Sequence, residues 1–306
     1  MEESLIIHHR GCSDGICGAL VLYLGLGEKA EVMSAQYGED PPPDEVITDR
    51  DIWIVDFSYS RDTLVHMNEI ASNLIVLDHH ETAKNNCEGL DFATFDMNRS
   101  GAQLAFDLVK GLPTAASKEF KEIKSILEQL VGYVQDRDLW QWKLLGSREV
   151  NAWLASWPRD IETWIQILNF LKTSSDAEPT LPNAVSGYGA AILRSQDQQK
   201  KSLLAGAWPG VAASVPGFSV VKVMIANSPI LQSEVGEELA LVKGCDMGVC
   251  WFQKNDGEYV YSLRASDNGF DVSSFAQHFG GGGHKAASGF TSDKSPEEIF
   301  ARVFAD

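Results

Sequence analysis

Three short apolar runs each end on a side chain able to bind a metal ion or move a proton, and this pattern constrains the fold more than any other in the sequence. They are Leu5-Ile6-Ile7 ending at His8, Ile52-Trp53-Ile54-Val55 ending at Asp56, and Leu74-Ile75-Val76-Leu77 ending at Asp78-His79-His80. Apolar runs this short, each followed by polar or helical sequence, are how buried parallel strands of an α/β sheet read. Ligands of open α/β sheets sit beyond the carboxyl ends of the strands. The three endings, distant in sequence, should therefore meet in one crevice. Only seven histidines occur in the chain, and four of them, His8, His9, His79 and His80, fall at two of these ends. A single histidine on a strand is usually a hydrogen-bonded core residue; two pairs beside carboxylates point to metal ligation. Imidazole with carboxylate suits Mn²⁺, Mg²⁺ or Zn²⁺ better than thiolate-seeking ions.

Apolar spacing of three and four residues predicts helices over Gly15–Leu24, Gly101–Val109 and Ser117–Gln135, the last ending near Asp136. At 306 residues, two domains are expected. The polar, proline-bearing stretch Thr173–Pro182 reads as a linker, followed by a helix from about Tyr188 to Leu204. This gives an N-terminal parallel-sheet domain over 1–172, a linker and connecting helix over 173–205, and a smaller C-terminal α/β domain over 206–306, with the active site in the cleft between. In the last, Val211–Val215, Val220–Ala226, Gly248–Phe252 and Tyr259–Arg264 read as strands, and Ser233–Val242 and Val272–Phe279 as helices. A closing helix starts at Ser295-Pro296-Glu297-Glu298, where serine caps, proline takes the first turn and glutamate completes a capping box.

Composition narrows the function classes. Hydrophobic residues at 44% and charged residues at 22% are ordinary for a globular protein. Five cysteines without a C-x-x-C pair suggest reduced thiols. The start Met1-Glu2-Glu3-Ser4 is acidic, unlike a secretory or transit signal, and no apolar run is long enough to span a membrane, so a cytoplasmic location is expected. A formal charge of -18 opposes a broad grip on duplex nucleic acid, which depends on many Lys and Arg neutralising phosphates. A small anion could still bind where metals or a few cations reverse the sign locally.

The stretch His8-His9-Arg10-Gly11-Cys12-Ser13-Asp14-Gly15 resembles the first motif of the DHH phosphoesterases, a histidine with aspartates four and six positions later. His8 and Asp14 match it, while Cys12 stands where the family has the first aspartate. Three ways of meeting that departure are open: His9 compensates, Cys12 ligates as a thiolate, or the site runs on one metal. Asp56 matches the second motif and Asp78-His79-His80 the third without change. Asp136 matches the fourth, with Asp138 as its rival. The resemblance implies that His8, Asp14, Asp56, His79 and Asp136 are metal ligands. It also implies that Asp78 stands behind them and that His80 faces the substrate phosphate or leaving group. The cofactor implied is a divalent metal, Mn²⁺ before Mg²⁺, as one or two ions.

Phe279-Gly280-Gly281-Gly282-Gly283-His284-Lys285 resembles the signature of the DHHA1 domain, and Ser262-Leu263-Arg264-Ala265-Ser266 its Ser-x-Arg-Ser segment, interrupted by Ala265. On composition alone four glycines could equally be a flexible linker. The resemblance implies that Arg264, Gly281, Gly282, Gly283, His284 and Lys285 bind the substrate. The chain thus resembles the stand-alone, oligoribonuclease-like DHH/DHHA1 phosphoesterases. The implied activity is hydrolysis of phosphoester bonds in small nucleotides, foremost short single-stranded oligonucleotides to mononucleotides, with bisphosphorylated or cyclic nucleotides next. A homodimer is compatible with it.

Other readings compete. A nucleotide-binding regulator impaired by Cys12 is one, and an inorganic pyrophosphatase or polyphosphatase is another. Gly11-Cys12-Ser13-Asp14-Gly15 also spells the G-x-S-x-G elbow of α/β-hydrolases, but only ten residues precede it, too few for the strands that fold requires. Trp140, Trp142, Trp153, Trp157 and Trp164 could stack bases, although core packing is the better reading. Arg99-Ser100-Gly101 could contact phosphate, or Ser100 could cap the helix that follows.

Overall fold

The computed structural model of the chain describes residues 4–27, 29–112, 118–173, 180–212, 215–266 and 269–303. It comprises two compact units, Met1–Leu193 and Arg194–Asp306.

The N-terminal unit runs β1 (Ser4–His9), α1 (Ser13–Gly25), β2 (Ala30–Ala35), α2 (Asp44–Ile47), β3 (Asp51–Val55), α3 (Arg61–Ile70), β4 (Asn73–Asp78), α4 (Lys84–Cys87), β5 (Ala93–Phe95), α5 (Gly101–Val109), α6 (Lys118–Asp138), α7 (Ser147–Ala155) and α8 (Ile161–Thr173), and continues into α9 (Leu181–Leu204). Its strands form one wholly parallel sheet in the order β2-β1-β3-β4-β5. Side chains of a strand alternate between faces, and both faces are buried here. Ile6, Trp53, Val55 and Leu77 join the core with α1, α5 and α6, whereas Leu5, Ile7, Ile52, Ile54, Leu74 and Val76 join the one with Leu64 and Met67 of α3. That double burial is why the strands read as unbroken apolar runs. Strand order reverses between β1 and β3, so the carboxyl ends of those strands diverge in their connections and leave a crevice.

Register sets what lines it. His8 pairs with Val55, and Val55 with Leu77. One residue further along, His9, Asp56 and Asp78 therefore lie side by side.

Of the linker expected over Thr173–Pro182, residues 174–179 lie outside the described residues. The following helix begins at Leu181 rather than near Tyr188. Pro182 suggested a linker, but proline fits the first turn of a helix, where its missing N–H is not needed. The Leu181 amide is held by Gln129 Oε1 at 2.9 Å.

The C-terminal unit contains β6 (Trp208–Ala212), β7 (Val221–Asn227), α10 (Gln232–Ala240), β8 (Met247–Gln253), β9 (Tyr259–Ala265), α11 (Val272–Gln277), β10 (Gly282–His284), β11 (Ala287–Ser292), α12 (Pro296–Ile299) and β12 (Ala301–Arg302). The expected strand over Val211–Val215 is placed earlier, and residues 213 and 214 lie outside the described residues. The sheet order is β10-β11-β9-β8-β7-β6-β12, antiparallel except for β7 against β8. Val223, Val249, Tyr261, Leu263, Phe275, Phe290 and Phe300 fill its core. The capping box of α12 is present, with the Ser295 amide donating to Glu298 Oε2 at 2.7 Å. Among the described residues, no helix is long and apolar enough to cross a membrane.

Candidate metal centre

At the carboxyl end of the parallel sheet, ligand-capable atoms of Asp14, Asp56 and His79 lie within 4.8 Å of one another, and all three residues are buried. A second trio, His9, Asp56 and His80, meets the same limit. His79 Nε2 donates to Asp56 Oδ1 at 3.1 Å and stands 3.9 Å from Asp14 Oδ2 and 3.4 Å from Asp138 Oδ2.

Backbone bonds position Asp14, Asp56 and Asp78. Asp14, in the first turn of α1, accepts the amides of Gly101 and Ala102 at 2.6 and 3.1 Å. The open N-terminus of α5 thus holds an anion, as a helix dipole favours. Residue 101 has to be glycine for this approach. A β-carbon there would lie 2.6 Å from Asp56 Cβ and 2.9 Å from Asp14 Oδ2. Asp56 follows β3 with φ of +58°, a left-handed conformation unusual for a residue with a side chain, secured by its amide bond to Leu77 O at 2.9 Å. Asp78 Oδ1 accepts the amides of His79 and His80 at 2.7 and 3.2 Å and His80 Nδ1–H at 2.9 Å. That last bond orients the His80 ring and leaves Nε2 as its outer nitrogen.

His8, next to last in β1, is almost fully buried, and its Nδ1–H donates to the His9 carbonyl at 2.9 Å. This bond leaves the lone pair on Nε2, the tautomer a metal-binding histidine needs. Burial lowers the pKa of His8, which keeps the ring neutral.

Of the two aspartates weighed for the fourth motif, Asp138 is the one whose carboxylate lies beside His79. The Asp136 carboxylate turns toward the loop after α6, where it accepts the amides of Lys143 and Leu144 at 2.9 and 3.2 Å. Asp138, at the last position of α6, reaches His79 instead. Sequence spacing could not separate two aspartates two residues apart; the demand of the loop amides does. Ser100 caps α5, its hydroxyl accepting the Gln103 amide at 3.3 Å, and Arg99 is paired with Asp96 and Asp107. Trp153 and Trp164 are core residues, whereas Trp157 is exposed.

The electrostatics are those of an anion-rich pocket. Burial, then the charges of Asp56 and Asp138, raises Asp14 well above the usual carboxylate range. Burial likewise raises Asp138, although His79 opposes it. For Asp56 burial is outweighed by the nearby His79 and His9, which hold it well below that range. His79 would be lowered by burial, but Asp56, Asp138 and Asp14 raise it to about 10. Burial, then Asp56, Asp138 and Asp14, pushes the Cys12 thiol up.

These residues fit a divalent cation. Asp56 Oδ2, Asp138 Oδ2 and His9 Nδ1 are buried without a hydrogen-bond partner among the described residues, and Asp56 Oδ2 faces His9 Nδ1 at 3.6 Å. Buried carboxylate oxygens left unpaired are costly, and a cation would satisfy them. The oxygen and imidazole donors match Mn²⁺ or Mg²⁺ chemistry.

The C-terminal candidates gather in their own unit. Arg264 pairs with Ala287 and Ala287 with His284, so Arg264 and His284 flank Ala287 across three adjacent strands. Arg264 Nη2 donates to Ser233 Oγ at 2.6 Å. The glycine run builds a hairpin edge, not a linker. A β-carbon on Gly281 would meet Gly289 O at 2.1 Å, and one on Gly283, whose φ is +139°, would meet Ala287 O at 2.6 Å. Gly282 opens β10, and Lys285 is exposed in the turn that follows it.

Sequence reasoning missed the α5 amides, for which Ser100-Gly101 at a helix start was the available signal.

Residues 4–133 match the profile of the DHH family, N-terminal domain, and residues 220–304 match the DHHA1 domain. An uncharacterized protein of Acanthamoeba polyphaga mimivirus is 24% identical over 94% of this chain and 67% of its own length. An exopolyphosphatase-related protein from Bacteroides fragilis superposes with a TM-score of 0.54 at 16% identity, over 97% of this chain and 89% of that one. RecJ from Thermus thermophilus, solved in complex with Mn²⁺, superposes with a TM-score of 0.50 at 16% identity, over 95% of this chain and 50% of its own.

Proposed function

From the premise that the chain belongs to the DHH family and joins a DHH N-terminal domain to a DHHA1 domain, we propose that it is a metal-dependent phosphoesterase that hydrolyses short oligonucleotides to mononucleotides. The observation that carries this reading is the buried Asp14–Asp56–His79 cluster, with Asp138 beside it and carboxylate oxygens lacking hydrogen-bond partners.

Asp14, Asp56, His79 and Asp138 would hold the cation, with His8 and His9 bordering it. Mn²⁺ is the ion of choice, supported by the donor set and by the Mn²⁺ complex of the RecJ relative. A divalent ion there supplies Lewis acidity toward the phosphoryl oxygens and a lowered pKa for the attacking water.

The protein's own groups do the rest. The amides of Gly101 and Ala102 keep Asp14 aimed at the cluster. Burial lowers the pKa of His80, but Asp78, which holds the ring through Nδ1, outweighs it and raises the pKa; His80 would hand a proton to the leaving oxygen. In the C-terminal unit, Arg264 and His284 would hold the substrate's distal phosphate or nucleotide, with Gly281, Gly282 and Gly283 letting the chain approach and Lys285 adding charge. The net charge of -18 favours short ligands over long duplexes.

The test is hydrolysis of a 5′-labelled RNA dinucleotide, a five-residue RNA, 3′,5′-bisphosphoadenosine, a cyclic dinucleotide, pyrophosphate and polyphosphate with Mn²⁺, Mg²⁺ or EDTA. Asp56→Asn and Cys12→Asp variants are run beside the native chain. Metal-dependent cleavage of the RNA that is lost in Asp56→Asn is the expected result. Cleavage of polyphosphate or pyrophosphate alone would replace the nucleotide reading. Tight nucleotide binding without turnover, even in Cys12→Asp, would make the protein a regulator.

A further inference from the structure

We propose that Tyr37 is the wall on which the substrate's nucleobase stacks; this deepens the nucleotide reading and rests on it. Tyr37 lies in the turn after β2, and its ring makes three contacts. The His9 centroid is 5.4 Å away with the planes at 72°, that of His80 is 5.9 Å away at 79°, and that of Phe57 is 4.8 Å away at 54°. Phe57 is buried, yet Tyr37 remains 44% exposed. One side of the tyrosine is thus anchored on the sheet's end while the other is open to solvent.

The turn that carries it is held in place. The Glu39 amide donates to Gln36 O at 3.1 Å and the Gln36 amide to Glu39 Oε2 at 3.1 Å, while Gly38 takes a φ of +88°. Arg10, just past β1, grips Glu39 through Nη2 at 2.9 Å and Ser34 Oγ through Nε at 3.2 Å. A surface ion pair alone contributes little. Here it closes a ring of backbone and side-chain bonds around Tyr37, an exposed aromatic residue beside the carboxylate cluster. An exposed ring fixed in advance loses little entropy on binding a flat partner.

The partner's chemistry follows from the neighbours. Asp56 and Asp78 make the surroundings anionic, which disfavours a second phosphate at Tyr37. A neutral, planar heteroaromatic group suits both the charge and the open face. Because the ring touches His80, assigned to the leaving oxygen, the group in question is the base of the nucleoside attached to that oxygen. Stacking of this kind tolerates every base, as trimming of mixed sequences requires.

Calorimetric binding of adenosine 5′-monophosphate and of ribose 5-phosphate, both with Mn²⁺, separates this role from a structural one. The native protein should prefer the nucleotide by about tenfold, the size of a single base–aromatic stack. Tyr37→Leu should bring the ratio of the two dissociation constants to about one, while Tyr37→Phe and Tyr37→Trp preserve it. No preference in the native protein, or one that survives Tyr37→Leu, overturns the proposal. Equal weakening of both ligands in Tyr37→Leu also overturns it, because a residue that merely props His9 and His80 would not distinguish base from sugar. If the preference behaves as expected but the RNA dinucleotide is not hydrolysed, the hydrolytic reading fails while Tyr37 keeps its assignment.

Discussion

Gly101 and Asp56 meet so closely that the space for a β-carbon on the glycine is already occupied by the aspartate's own, 2.6 Å away. The N-terminus of α5 and the end of β3 are thereby locked together behind the carboxylate cluster. Gly101→Ala has no flexible neighbour to displace, since Asp56 Cα also lies 2.8 Å from the new atom. Overpacking of this kind should cost about 1–3 kcal/mol. Urea denaturation would read it, and a variant as stable as the native chain would contradict the close fit.

Asp56→Asn should uncouple stability from metal. In the native chain, Mn²⁺ at a hundredfold excess over its dissociation constant should add about 2.7 kcal/mol to unfolding. Thermal melts with Mn²⁺ and with EDTA measure this, and the difference between them should vanish in the variant. A shift that persists would place the ion elsewhere.

Asp136 and Asp138 should fail in different ways. Asp136→Ala strips the amides of Lys143 and Leu144 of their acceptor and should destabilise the N-terminal unit by about 2 kcal/mol. Asp138→Ala relieves crowding among buried carboxylates, so its melting temperature without metal should not fall, while its Mn²⁺-induced shift shrinks. The reverse pattern would restore Asp136 as the ligand.

Cys12→Asp adds a carboxylate near Asp14, Asp56 and Asp138, the groups whose charges act on Cys12. Without metal the added repulsion should lower the melting temperature. With Mn²⁺ the gain should exceed that of the native chain. Equal gains in both proteins would mean that position 12 does not face the ion.

Asp271 supplies a pH-dependent case outside the site. Its Oδ1 accepts the amides of Ser273 and Ser274 at 2.9 and 3.1 Å, capping α11. Burial would raise its pKa, but the hydroxyls and amides of Ser273 and Ser274 win and hold it lowered. A carboxylate whose pKa is lower in the folded state stabilises above its unfolded value, about 4, and loses that contribution as pH falls through the folded value. Asp271→Ala should therefore be less stable than the native chain by about 1 kcal/mol at neutral pH. The gap should close in strong acid; a gap independent of pH would mean that the charge contributes nothing.

How much of this was legible in the sequence depended on whether a residue's role was set locally. His8, Asp56 and Asp78 end unbroken apolar runs because both faces of the sheet are covered, so strands and endings could be read together. The helix over Gly101–Val109 has the bounds its periodicity predicts. Other features required partners far along the chain. Asp136 and Asp138 differ only in which one the later loop claims, and the α5 amides are aimed at Asp14, 87 residues earlier. The glycine run looked like a linker as much as a binding loop, because composition does not show that Gly289 and Ala287 leave no room for side chains.

The sheet order β2-β1-β3-β4-β5 also bears on how the chain comes to fold. β1 is emitted first yet sits between strands made later, and the cluster draws on residues from Asp14 to Asp138. No contiguous stretch can form it alone. Pairings so distant are slow to form, because loop closure precedes any reward from contact. A cation can therefore reward only the finished N-terminal unit, and during synthesis it would act as a late latch, tightening a nascent chain after α6 has left the ribosome and ignoring every shorter intermediate.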